Sequence, residues 1–227
     1  MLSSRTALFD MDGLLLNTEI VYTEVTQQIV GKFGKTYDWS IKSNMIGRPA
    51  IDSARYLVGA LDLPITAEQY LEQRNGLLRT AFANCDALPG AERLIRHLKA
   101  QSIPIAVATS AYQELFEIKT RNHKSWFNLF DTVVTGDDPE IGQGKPAPDI
   151  FLVAVKRLGG IASEALVFED APSGLQAGKA AGMQVVVVPD ANMDKQRYSA
   201  ADVILDSLED FQPEQFGLPG FFKDNEA

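Results

Sequence analysis

Two aspartates two residues apart, Asp10 and Asp12, close the short apolar stretch Thr6-Ala7-Leu8-Phe9 and are followed at once by Gly13. In an extended segment that spacing points both carboxyls the same way. Such a pair suits a metal, or a nucleophile beside an acid/base group whose pKa is pushed away from its own. Gly13 allows a sharp turn. Asp-x-Asp-Gly also opens calcium loops, but the remaining ligand positions of an EF-hand are missing, which argues against calcium. A second acidic pair, Glu169-Asp170, ends the run Ala165-Leu166-Val167-Phe168. Adjacent acids at the mouth of a buried strand repel unless a cation or lysine offsets them. Asp170 ahead of Ala171-Pro172 also fits a helix N-cap. Lys145 sits in Gly142-Gln143-Gly144-Lys145-Pro146-Ala147-Pro148-Asp149, where glycines and prolines constrain a loop. A lysine so placed fits a phosphate or plain solvent, and the segment is no Walker A motif. Thr109 and Ser110 offer hydroxyls and backbone N–H groups to an anion, or simply make a polar loop.

Bringing these residues together requires a scaffold, and the apolar pattern describes one. Short apolar runs at 6–9, 103–108, 132–135, 165–168, 185–188 and 203–205 read as strands. Between them lie helical stripes: Ala91, Leu94, Ile95 and Leu98; Leu115, Phe116 and Ile118; Ile150, Phe151, Ala154, Val155 and Leu158; and a small-residue helix through Gly174, Gly178 and Ala181. Alternation of this kind predicts a parallel sheet covered on both faces. Ligands then bind beyond the carboxyl ends of the strands, and four of those ends carry the polar residues named above. The rhythm is interrupted after the first strand. Val21, Val25, Ile29 and Phe33 make one helical stripe, and Ile51, Ala54, Val58 and Leu61 a second. A third helix begins at Thr66, with Gln69 completing a capping box, and carries Tyr70, Leu77, Ala81 and Phe82. The expected fold is α/β: a Rossmann-like open parallel sheet formed by residues 1–16 and 87–227, with an all-helical cap domain inserted at 17–86.

Composition narrows the partners. With 227 residues, 45% of them hydrophobic and 22% charged, the chain is neither disordered nor of low complexity. A formal charge of −9 argues against nucleic-acid polymers and anionic membranes as partners. One cysteine, Cys85, excludes an internal disulfide and a four-cysteine zinc site. The N-terminus lacks the basic-then-apolar pattern of a signal peptide. No apolar run approaches the roughly 20 residues of a spanning helix. The expectation is a soluble, cytoplasmic protein, monomeric for want of an obvious interaction segment.

Taken in order, Leu8-Phe9-Asp10-Met11-Asp12-Gly13, Ala108-Thr109, Lys145 and Glu169-Asp170 resemble the four motifs of the haloacid dehalogenase superfamily of phosphohydrolases. The helical block resembles that family's mobile cap. The resemblance implies a phosphatase in which Asp10 is the nucleophile and forms an aspartyl-phosphate, and Asp12 is the general acid/base. It further implies that Thr109 hydrogen-bonds the transferring phosphoryl group, with Ser110 beside it as a substrate-binding candidate, and that Lys145 neutralises Asp10 and the phosphoryl oxygens. Mg²⁺ would be held by the Asp10 carboxylate, the Asp12 backbone carbonyl and Asp170, with Glu169 a direct ligand or one shell out.

Departures and finer matches narrow the substrate. Family members resembling β-phosphoglucomutase carry a histidine ten residues after the second motif aspartate, where this chain has Tyr22, so simple hydrolysis is favoured over a mutase. Asn17 stands where relatives often have aspartate. The segments Leu88-Pro89-Gly90-Ala91-Glu92, Gly136-Asp137-Asp138-Pro139-Glu140, Gly144-Lys145-Pro146 and Phe168 through Gly174 resemble the pseudouridine-5′-phosphatase group, as do Ala181 through Val185 and Asp210 through Pro219. Eukaryotic glycerol-phosphate phosphatases share much of this pattern. The implied substrate is a small phosphate monoester, pseudouridine 5′-phosphate first, with a sugar or polyol phosphate (glycerol or deoxysugar phosphate) as the alternative. A non-catalytic phospho-acceptor module also combines an acidic pocket with Thr/Ser and Lys, yet needs neither Asp12 nor a cap. In the cap, Arg48 within Ile46-Gly47-Arg48-Pro49 is a candidate for the substrate phosphate or a sugar hydroxyl, or else a solvated loop arginine; Arg74 and Asn75 follow. His97, His123 and Cys85 read as packing or surface residues, and Trp126, Phe127 and Phe130 as core under the sheet. The acidity then has a local purpose: Asp10, Asp12, Glu169 and Asp170 are expected to converge on one metal site, where Mg²⁺, Lys145 and Arg48 reverse the potential.

Overall fold

The computed structural model describes residues 5–45 and 50–221. The chain divides into two compact units, Met1–Leu16 with Ala87–Ala227, and Asn17–Asp86.

The first unit is built on six strands, β1 (Thr6–Phe9), β2 (Ile105–Ala108), β3 (Thr132–Val134), β4 (Ala165–Glu169), β5 (Gln184–Val187) and β6 (Val203–Ile204), in the order β3-β2-β1-β4-β5-β6. Every adjacent pair is parallel. β1, β2 and β4 are buried along their whole length, as continuous Ala/Val/Leu/Phe runs demand when helices cover both faces. Successive strands step outward on one side of β1 and then on the other, so the order reverses at β1. A crevice opens there beyond the strand ends. Asp10 is the first residue past β1, and its N–H donates to the Phe168 carbonyl on β4 (3.0 Å).

The second unit holds α1 (Thr18–Gly31), α2 (Trp39–Lys42), α3 (Ala50–Ala60) and α4 (Ala67–Ala81). The sheet helices are α5 (Ala91–Ala100), α6 (Gln113–Thr120), α7 (Lys124–Phe127), α8 (Asp149–Arg157) and α9 (Pro172–Ala180). The two ends of the helical unit meet: the Asn17 N–H donates to the Asp86 carbonyl (2.8 Å). Thr66 and Gln69 form the expected capping box at α4. The Thr26 hydroxyl and the Tyr70 phenol, 2.9 Å apart, join α1 to α4.

Several sequence expectations shift by a residue or two. Phe33 lies past the end of α1, where Gly34 adopts a left-handed φ of 69° and turns the chain. α3 buries Ser53, Ala54 and Leu57 rather than the Ile51/Val58/Leu61 stripe, and α4 buries Leu78 rather than Leu77. Periodicity locates a helix but leaves its rotation to the partner. β2 begins only at Ile105, because Pro104 has no N–H to pair; its carbonyl accepts the Ala7 N–H (3.0 Å). β4 runs one residue further than the apolar run and takes Glu169 into the strand.

The core beside the strand ends is aromatic. Phe9 and Phe168, register partners on β1 and β4, stack at 4.6 Å with their planes 2° apart. Phe130 meets Phe9 edge-on, and Phe211 meets Phe168. Phe211 and Phe216 come from the C-terminal tail, which the structure packs in two 3₁₀ turns, Leu208–Asp210 and Pro213–Phe216. Phe168→Ala removes a buried ring that two others rest on. It is expected to cost about 3–5 kcal/mol, read from the midpoint of denaturant unfolding; a loss under about 1 kcal/mol contradicts this account of the core.

Candidate active site

Lys145 occupies the centre of the crevice. Its ammonium has three N–H donors, and all three are used: to Asp10 Oδ1 (2.5 Å), to Glu169 Oε1 (2.6 Å) and to the Ala108 carbonyl at the end of β2 (2.9 Å). The side chain is 5% exposed, against 10% for Asp10 and 1% for Glu169. Beneath it lies the Phe151 ring, with Nζ 4.9 Å from the centroid. Burial alone would depress the Lys145 pKa, but the Asp10 and Glu169 carboxylates outweigh it and hold the group above the ordinary lysine range.

The loop that delivers Lys145 is pinned by its own acids. Asp149, at the start of α8, accepts the N–H groups of Gly142 and Gln143, both at 3.0 Å. Arg157, at the other end of α8, donates to both oxygens of Asp138 (2.7 and 2.9 Å) and to Glu140 (2.6 Å). Those bonds, chiefly the one from Arg157, hold the Asp138 carboxyl below its usual range.

Thr109 is buried at the end of β2. Its N–H donates to the Val134 carbonyl (3.0 Å) and its hydroxyl oxygen accepts the Ala111 N–H (3.1 Å), leaving the O–H to donate elsewhere. Ser110 is exposed beside it. The Ser110 carbonyl lies so close over Gly136 that a Cβ there would collide with it, so the motif needs glycine at that position.

Asp12 stands apart from the Lys145 cluster. Its Oδ1 accepts from Lys119 Nζ (2.6 Å), a lysine on α6. Sequence reading missed Lys119, because a lysine near the end of a short helix looks solvent-facing. It also missed Tyr198, a buried phenol that donates to the Asp170 carbonyl (2.8 Å) and holds the loop after β4.

The four acids do not meet as one cluster. Among the described residues, no group of three or more histidine, cysteine, aspartate or glutamate side chains is placed to hold a metal ion. Each of the acids expected to converge on one metal site already has a partner. Glu169 gives Oε1 to Lys145, and its Oε2 accepts the N–H groups of Asp170 (3.1 Å) and Ala171 (3.2 Å). Its carboxylate packs over Gly174, where a Cβ would overlap it. Asp170 is not the N-cap of α9 either; Ala171 is, uncapped by any side chain, with Pro172 opening the helix. Instead the Asp170 carboxylate lies over Gly13, whose left-handed φ of 79° and missing Cβ make room for it.

These donors fit Mg²⁺. Asp10, Asp170 and backbone carbonyls are hard oxygen donors, and a site with few protein ligands suits an ion that keeps much of its water. The charge also calls for it. Burial first of all, opposed by Lys145 and reinforced by Glu169 and Asp12, pushes the Asp10 carboxyl up to about 7. An aspartate holding a proton near neutrality marks a site short of positive charge.

Arg48 lies outside the described residues. Tyr22 packs edge-on against Phe82 at 5.1 Å. His97 is a packing residue, its Nε2 2.8 Å from the Pro219 carbonyl and its ring against Phe221. Trp126 and Phe127 are buried, as is Cys85.

The family model described as haloacid dehalogenase-like hydrolase matches residues 7–188. The chain is 48% identical to (DL)-glycerol-3-phosphatase 2 of Arabidopsis thaliana, over 96% of this chain and 93% of that one. It is 46% identical to the probable pseudouridine-5′-phosphatase of Drosophila melanogaster, over 94% of each. Among solved structures, a putative β-phosphoglucomutase from Thermotoga maritima is similar at a TM-score of 0.75 and 27% identity, over 94% of this chain and 96% of that one.

The raised Asp10 pKa has a measurable consequence. The folded protein keeps this proton to higher pH than the unfolded chain, whose aspartates titrate near 3.9, so the metal-free protein loses stability as pH climbs toward about 7. Thermal unfolding with chelator present is expected to show Tm falling between about pH 5 and about pH 7.5, and Asp10→Asn is expected to flatten that fall. A wild-type Tm that rises over the interval contradicts the assignment.

Proposed function

The chain belongs to the haloacid dehalogenase-like hydrolases, and on that premise we propose that it is a Mg²⁺-dependent phosphomonoesterase working through an aspartyl-phosphate on Asp10. The relatives named glycerol-3-phosphatase and pseudouridine-5′-phosphatase make the chain a phosphatase of small phosphorylated metabolites. One observation carries the residue-level reading: a buried lysine binds the Asp10 carboxylate and a glutamate together, at the end of the central strand.

With Oδ1 held by Lys145, Asp10 offers Oδ2 to phosphorus. As the Asp10–phosphorus bond forms, the ester P–O bond breaks, and Asp12 gives its proton to the departing alkoxide. Water then attacks phosphorus and passes a proton to the Asp12 carboxylate. The bond to Asp10 breaks, which restores both acids. Thr109 donates its hydroxyl to a phosphoryl oxygen, and the exposed Ser110 beside it offers a further contact. Lys145 balances the charge that gathers on the phosphoryl oxygens. Asp10, the Asp12 backbone carbonyl and Asp170 are the groups that would hold Mg²⁺, with Glu169 one shell out. When bound, the ion supplies the positive charge this pocket lacks.

Pseudouridine 5′-phosphate remains the leading substrate, on the motif pattern of residues 136–219. Glycerol 3-phosphate is the second reading, favoured by the 48% identity to the plant enzyme. Both are phosphates of primary alcohols, whose poor leaving groups explain the need for Asp12. The helical unit 17–86 is read as the cap domain that discriminates between them. We also take the protein as a cytoplasmic monomer whose partners are neither nucleic-acid polymers nor membranes. No helix among the described residues is long and apolar enough to cross a bilayer.

Turnover of p-nitrophenyl phosphate is expected to need Mg²⁺, to vanish with EDTA, and to drop at least about 10⁴-fold in Asp10→Asn, as removal of a covalent nucleophile does. Unchanged turnover in that variant overturns the mechanism. Across nucleotide, sugar and polyol phosphates, kcat/KM is expected to be highest for pseudouridine 5′-phosphate, by about tenfold or more; glycerol 3-phosphate ranking first transfers the assignment to the second reading.

A further inference from the structure

Among the described residues, Lys119 is one of the largest fully buried side chains and the only one of those that carries a charge. It is 1% exposed, whereas its partner Asp12 keeps 26% of its side chain open to solvent. Taking an ammonium out of water costs several kcal/mol unless it is paired, and a leucine or methionine would fill the same volume without that cost. The position therefore needs the charge or its hydrogen bond. The reach is long in sequence: Nζ of Lys119 meets Oδ1 of Asp12 at 2.6 Å across 107 residues.

We propose that Lys119 is the positioning residue for Asp12, holding one carboxyl oxygen so that the other faces the leaving group. This rests on the reading of Asp12 as general acid/base and deepens it. Lys145 cannot do the job, because its three N–H donors are spent on Asp10, Glu169 and Ala108. The two motif aspartates thus have separate cations: Lys145 serves the one that bonds to phosphorus, Lys119 the one that moves a proton.

The helix carrying Lys119 is itself fixed to the sheet. At its start, the Gln113 N–H donates to Asp137 Oδ1 (3.0 Å), and the same oxygen accepts the Thr135 hydroxyl (2.8 Å) just past β3. At its end, the Thr120 hydroxyl donates back to the Phe116 carbonyl (2.8 Å). A helix tied to the strand ends on one side and holding Asp12 on the other sets the acid/base group relative to the nucleophile. A general acid loses effect quickly when misplaced.

The test uses leaving groups. kcat/KM covers steps only through departure of the first alcohol, and an alkoxide must be protonated as it leaves, whereas p-nitrophenolate need not be. Lys119→Met is expected to lower kcat/KM about 10²-fold on an alkyl phosphate, glycerol 3-phosphate or pseudouridine 5′-phosphate, whichever the wild type turns over. On p-nitrophenyl phosphate the loss is expected to stay under about fivefold. Lys119→Gln, which keeps a donor, is expected to recover part of the alkyl-phosphate loss, and it carries the test if the methionine variant does not fold. In an Asp12→Asn background, either substitution is expected to cost nothing further. Equal losses on the two ester classes, or a further loss in that background, overturn the assignment of Lys119 while leaving the phosphatase intact. A wild type inactive on both classes overturns the underlying function and this inference with it.

Discussion

A single buried ammonium organises the first unit. Lys145 bonds to Asp10 past β1, to the Ala108 carbonyl at the end of β2 and to Glu169 at the end of β4, and it arrives on the loop that follows β3. Three strand ends are tied through one nitrogen. A cation in that position is tolerable only because every N–H finds an acceptor and two of the acceptors are ionised. Much of the surrounding sequence follows from that demand. Asp149 and Arg157 brace the loop from both ends of α8, and Gly174 leaves the space that the Glu169 carboxylate fills. Phe151 lies under the ammonium and takes part of its charge on the ring face.

The same demand explains why the acids do not share one task. Glu169 accepts from Lys145 and from two backbone N–H groups, which fixes its carboxylate in place. Asp12 is held by Lys119, and Asp170 lies over Gly13. Asp10 is left with one lysine bond, heavy burial and two acidic neighbours, and its pKa rises to about 7 as a result. The overall charge of −9 is therefore a poor guide to the pocket. What matters there is a local shortfall of positive charge, which a divalent cation would make good.

The sheet and the strand-end residues were legible because both leave local marks. An apolar run ending in an acid, a threonine or a glycine-bounded lysine marks Asp10, Thr109, Lys145 and Glu169 as candidates, and their order along the chain joins them. Lys119 leaves no such mark. Within Gln113–Thr120 it reads as one polar residue among several, and its partner Asp12 lies far away in sequence. The cap alternative for Asp170 fails for a related reason. Its sequence context fits a cap, and the space over Gly13 that draws it away belongs to another strand end. The rotations of α3 and α4 were lost in the same way, since periodicity cannot choose between adjacent stripes of similar residues.

That asymmetry bears on how function divides along the chain. On the proposed function, the strand-end residues serve phosphoryl transfer and say little about the alcohol being released. The identity is near equal to a glycerol-3-phosphatase (48%) and to a probable pseudouridine-5′-phosphatase (46%), so it does not choose between the two alcohols. In the helical unit, Tyr22 occupies the position where mutase-like relatives carry a histidine. Its ring is committed to Phe82, which removes a proton-transfer group and adds a packing contact. The packing within Asn17–Asp86 is thus separate from the bonds that hold Lys145 in the first unit.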